Sequence, residues 1–164
     1  MEISIYNDDL LRKVFNRRIK KPVTCCVGSF MDHLSMKKKI DFTLRRLEEI
    51  TFQSARIVIE YWSDLEKLTR LLRRYQLYDY TIIRPYKNNR IKAGVLNIYI
   101  HSGRLNHDFL RVMLNKHYGH DFSTPDSIEI TPYVIFDTGK NEIIAFKLYD
   151  DRGYYEYYIQ KGNS

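Results

Sequence analysis

Cysteine is nearly absent from the 164-residue chain: there are two, Cys25 and Cys26, and they are adjacent. Neighbouring residues of an extended strand point to opposite faces, so these two cannot form an ordinary bridge. That usage excludes a disulfide scaffold and fits a reducing, cytoplasmic compartment. Long apolar runs are missing too. None approaches the roughly 18 residues of a membrane span, and Met1-Glu2-Ile3-Ser4 lacks the basic-then-apolar layout of a signal peptide. No membrane partner is expected. Glycine is sparse, with 7 scattered residues, so no glycine-rich phosphate loop exists. Gly28-Ser29 lacks the Gly-x-Ser-x-Gly elbow of a serine hydrolase.

Metal and nucleophile patterns are equally thin. The histidines are His33, His101, His107, His117 and His120. His117 and His120 stand three apart, but Gly119 between them is expected to break the helix, and no cysteine or carboxylate completes a zinc spacing. Cys25 or Cys26 would need a distant histidine, and both lie in an apolar strand, where burial raises a thiol pKa and leaves it inert. No cofactor is implied. Carboxylates that meet only in space stay open, so the reading leans away from an enzyme without closing the question.

What the chain does have is positive charge and tyrosine. The net charge is +7, with 14 tyrosines and 44% hydrophobic residues, enough to build a core. Residues 1–100 hold 20 basic and 11 acidic side chains, residues 101–164 hold 7 and 9. A basic body favours an acidic partner, either a protein or nucleic acid, although it also serves plain solubility.

Periodicity predicts a helix over about 8–18 behind Asn7 and a strand over 23–27 after Pro22. It predicts a helix over 35–51 and a strand over 57–61. A capping box, Ser63 with Glu66, precedes a further helix. Strands follow over 80–83 and 95–100, then a helix over 106–118 that Gly119 ends as a C-cap. The last unit reads as a three-stranded β-meander over 133–136, 142–149 and 154–159, with turns at 138–141 and 150–153. Alternating helices and strands, then strands together, predict a single α+β domain over 1–164. Its sheet should be antiparallel, possibly mixed, with about four helices.

The string from Glu142 to Gly153, ending Tyr149-Asp150-Asp151-Arg152-Gly153, resembles the C-terminal signature of an uncharacterised bacterial domain family. The helix-then-strand order from Ile40 to Tyr61 and the helix from Asn106 to Tyr118 are similar in layout. The N-terminal forty residues diverge. The resemblance implies a fold closed by this hairpin and a bacterial or phage setting. It implies no activity and no catalytic residues.

Within the hairpin, Asp150 and Gly153 are explained by turn chemistry, which leaves Asp151 and Arg152 as tip side chains. Alternation puts Tyr154, Glu156 and Tyr158 on one face and Tyr155 and Tyr157 on the other, so both faces offer aromatic surface. Asp151, Arg152, Tyr154, Tyr155, Tyr157 and Tyr158 are therefore candidate partner contacts. The leading expectation is a non-enzymatic protein-binding protein of a bacterial or phage conflict system, most concretely an immunity protein or inhibitor that blocks an effector. Its partner would be an acidic or mixed-charge protein. The alternative is nucleic-acid binding through basic helix faces, with Lys67, Arg70, Arg73 and Arg74 as contacts, although no named nucleic-acid module is visible.

Overall fold

The structure is a computed structural model. It describes residues 24–27, 33–62, 65–83, 94–101, 104–121, 128–148 and 153–160. Among the described residues there are seven strands: β1 (Thr24–Val27), β2 (Ser54–Tyr61), β3 (Tyr80–Ile83), β4 (Gly94–Ile100), β5 (Ile130–Asp137), β6 (Glu142–Leu148) and β7 (Gly153–Gln160). They form one sheet in the order β1-β7-β6-β5-β2-β4-β3. Every pairing is antiparallel, so the α+β expectation holds and the sheet is not mixed among the described residues. Three helices occur there rather than about four: α1 (Met36–Glu48), α2 (Leu65–Arg74) and α3 (His107–Asp121). The helix expected over 8–18 and the Ser63 cap lie outside the described residues.

Each helix forms for a local reason. Ser35 caps α1 by accepting from the Lys38 amide, and Ile40, Leu44 and Leu47 make its buried stripe. In α2 the stripe is Leu68, Leu71 and Leu72. Asn106 Oδ1 accepts from the Phe109 amide at 2.9 Å and caps α3. Gly119 does not end α3, which continues to Asp121. A glycine inside a helix costs only about 1 kcal/mol against alanine. Met113, Leu114 and Tyr118 are buried along the same helix and outweigh that cost.

Two of these helices are crossovers. Helix α2 joins β2 to β3, and β4 lies between those strands; α3 joins β4 to β5, and β2 lies between them. Strands that run the same way cannot be joined by a tight turn, so a longer connection is required at both places. The chain then changes to short connections. Strands β5, β6 and β7 are the expected meander. Gly139 turns the first hairpin with φ +74°, its amide bonded to Asp137 Oδ1 at 2.9 Å. Gly153 opens β7 with φ +140°. Residues 149–152 lie outside the described residues.

The three helices pack on one face of the sheet. Their stripes meet Ile57, Ile59, Leu96, Ile98, Val134 and Phe136. A smaller apolar cluster occupies the second face, where Val58, Ile83, Val95, Tyr133, Ile135 and Ala145 are buried. No helix among the described residues is long and apolar enough to cross a membrane.

Candidate functional site

Strand β7 carries most of the residues expected to touch a partner. It is an interior strand, flanked by β6 and β1. Tyr154 faces the helices and is only 2% exposed, packed against Phe146 with ring centroids 5.4 Å apart and against Phe42 at 6.5 Å. It offers no surface to a partner. Glu156, next on that face, is buried and accepts from Arg46 of α1 through both oxygens, at 2.5 and 3.2 Å. The Tyr158 hydroxyl donates to the same carboxylate at 2.7 Å. Hydrogen bonding to Glu156, and then burial, push the Tyr158 phenol above its ordinary pKa. This knot pins α1 to the sheet, and Tyr158 belongs to it. Tyr155 and Tyr157 lie half-buried on the second face, with ring centroids 6.4 Å apart. Asp151 and Arg152 lie outside the described residues.

The second face holds a polar group that the sequence reading missed. Tyr133 donates to Glu60 at 3.2 Å, and the Lys147 ammonium lies 5.8 Å from the Tyr133 ring centroid. Burial raises the Glu60 carboxyl above its ordinary range, opposed by the Tyr133 hydrogen bond and the Lys147 charge. Beside them Asn97 is buried and donates to the Tyr99 hydroxyl at 3.0 Å. Asn97 Oδ1 and Thr81 Oγ1, on directly opposed residues of β4 and β3, are buried without a hydrogen-bond partner. A carboxyl biased toward its neutral form can hold a proton. Here its register neighbours are Val95 and Thr131, and the apolar cluster of the second face runs past it, so its chemistry is that of a buried structural network. Strict alternation along β2, β5 and β6 was the available signal, but it needs the strand register to bring Glu60, Tyr133 and Lys147 together. Among the described residues no three His, Cys, Asp or Glu side chains converge to hold a metal ion.

A further exposed surface is α2. Its apolar stripe faces the core, and Lys67, Arg70, Arg73 and Arg74 are all exposed on the outside. Lys67, Arg70 and Arg74 stand at i, i+3 and i+7, one line along the helix. Arg70 pairs with Glu66 at 3.3 Å, both well solvated, a bond worth little. The Arg74 guanidinium lies 5.9 Å from the Tyr75 ring centroid. Two large exposed apolar side chains bracket this helix in the chain: Trp62 just before it, 42% exposed, and Tyr78 just after it, 69% exposed. The sequence reading named the four basic residues but not these aromatics. The single tryptophan, directly past the end of a strand, was the signal for the first of them.

Comparison of the chain with protein-family models, with curated proteins and with solved structures finds no match.

Proposed function

We propose that the chain is a non-enzymatic protein-binding protein of a bacterial or phage conflict system, most concretely an immunity protein or inhibitor that blocks an effector. The outer face of α2 is its contact surface. One observation carries this reading: Arg70, Arg73 and Arg74 stand exposed on a helix bracketed by exposed Trp62 and Tyr78. Arginine, tryptophan and tyrosine are the side chains that most often carry binding energy at protein interfaces. The positive sign selects an acidic or mixed-charge effector surface. The bacterial or phage setting rests on the resemblance of the Tyr149–Gly153 string.

The test is affinity capture from the native host, with the products of neighbouring genes expressed. It compares the wild-type chain with an Arg70→Glu/Arg73→Glu/Arg74→Glu variant. The expected outcome is one acidic protein retained by the wild type and weakened at least about 100-fold by the variant, since each charge pair at such an interface is worth about 1.5 kcal/mol or more. Equal capture by both chains counts against the reading.

The line of Lys67, Arg70 and Arg74 favours a second reading, in which the helix follows a phosphate backbone. Polarisation assays on DNA and RNA at low salt separate the two. Binding that falls steeply with salt moves the conclusion to nucleic acid. No binding at low salt removes that alternative.

A further inference from the structure

A pocket of about 220 Å³ opens where the end of α1 meets the start of α3. It shares no residue with α2. Leu47, Ile50, Phe52, Leu105 and Leu110 make its floor and walls, and all five belong to or pack against the helix-side core. Glu48, Arg104 and His107 are the polar members of its lining. His107 Nε2 lies 3.1 Å from Glu48 Oε1, so these two groups satisfy each other. Arg104 is exposed and makes no side-chain ion pair or hydrogen bond with the described residues. The pocket is thus an apolar hole edged by the His107–Glu48 pair and by the Arg104 guanidinium, which has no such partner among the described residues.

Size and charge together narrow the occupant. An engineered cavity of roughly 150 Å³ in another protein, lined by Leu, Ile and Phe, holds one benzene molecule. Sites for drug-sized ligands begin at about 300 Å³. This pocket falls between those sizes: it has room for one ring or branched group with a short polar tail. Nucleotides are too large, and sugars are too polar for its walls. The unpaired guanidinium asks for a planar anion, and a carboxylate matches its fork of donors.

We propose that this pocket binds a small organic acid with a single apolar group, an aromatic or branched aliphatic carboxylate. The apolar group lies among Leu47, Ile50, Phe52, Leu105 and Leu110, and the carboxylate pairs with Arg104. The site stands apart from the α2 surface, so its failure leaves the protein-binding reading untouched, and the reverse holds too.

The experiment is calorimetric titration of the full chain with phenylacetate, 3-methylbutanoate and the uncharged phenylacetamide. The same series is run on Arg104→Met and Leu105→Ala, with thermal melting to show that both variants fold. Phenylacetate should bind with a Kd on the order of 0.1–1 mM, as a ligand of its size allows. Phenylacetamide should bind about threefold more weakly, and Arg104→Met should lose about the same factor for phenylacetate, because the Arg104 guanidinium is exposed. Leu105→Ala should weaken phenylacetate several-fold. Three results overturn the proposal: no binding of either acid at about 10 mM, equal binding of acid and amide, or an unchanged Kd in a folded Arg104→Met. Tighter binding of neutral N-acetylphenylalaninamide than of phenylacetate also overturns it, because the pocket would then be an anchor for a peptide side chain.

Discussion

On the helix side of the sheet, Ile57, Ile59, Leu96, Ile98, Val134 and Phe136 meet the stripes of three helices. On the other side, the residues between them include Val58, Glu60, Asn97, Tyr133 and Ile135. The same strands therefore carry two different interiors. The helix side buries Glu156, answered by Arg46 and Tyr158, and Lys39 of α1 is buried as well. The second face spreads its polar groups over five strands and leaves Asn97 Oδ1 and Thr81 Oγ1 without hydrogen-bond partners. An unmade hydrogen bond in a buried place costs about 1–3 kcal/mol. The second face thus gives stability away at Asn97 and Thr81, while the helix side answers its buried Glu156.

The largest break of this contrast is Arg46→Met. It strands Glu156 beneath α1, and breaking a buried pair from one side costs about 3–5 kcal/mol. The low end is expected, because the Arg46 side chain keeps 29% of its exposure and water can partly replace it. Denaturant unfolding should show this loss, and the double variant Arg46→Met/Glu156→Leu should recover most of it. A loss under about 1 kcal/mol in the single variant would mean the knot is not what pins α1.

Next come two tyrosines of one strand, on opposite faces of the sheet. Tyr154→Ala empties a packed site against Phe146 and Phe42 and should cost about 3 kcal/mol or more. Tyr157→Ala, on the half-buried second face, should cost less than about 2 kcal/mol. Equal costs in urea titrations would erase the distinction between the faces.

The smallest effect sharpens the comparison through pH. Burial raises the Glu60 carboxyl, so the folded chain holds its proton more tightly than the unfolded chain does. Its contribution to stability is fully present below the unfolded value, about 4.3, and is lost as pH rises through the folded value. Glu60→Gln should therefore raise Tm at pH 7 and leave it nearly unchanged near pH 4. A variant that melts lower at pH 7 would show that the ionised carboxylate is stabilising where it stands. Asp41 behaves in the opposite sense. Its hydrogen bond from Arg111, at 2.7 Å, holds it below the ordinary range, so its contribution is present above the unfolded value and is lost as pH falls through the folded one.

Local pattern carried much of the fold. Apolar spacing in 36–48, 65–74 and 107–118 marks helices whatever they pack against, because one stripe must be buried. Alternation in 153–160 assigned Tyr154 and Tyr155 to opposite faces, and the register agrees. Gly119 misled, because a glycine that ends a helix in isolation is tolerated when the next turn is packed. The candidate sites were legible unevenly. The basic face of α2 is local and could be read directly. The pocket joins Leu47 to Arg104 and Leu110 across more than fifty residues, and no short-range pattern relates them.

The sequence by itself determined the types of the described elements, the meander and the basic outer face of α2. Each depends on residues within a few positions of one another. Only the tertiary structure decided that β7 is an interior strand, with β1 paired on its far side. That placement buries Tyr154 and Glu156 on the helix side and leaves Tyr155 and Tyr157 half-buried on the other. Alternation tells which residues share a face. What covers that face is set by strand order and by where the crossovers land, and those are free energies of the whole sheet rather than of any one segment.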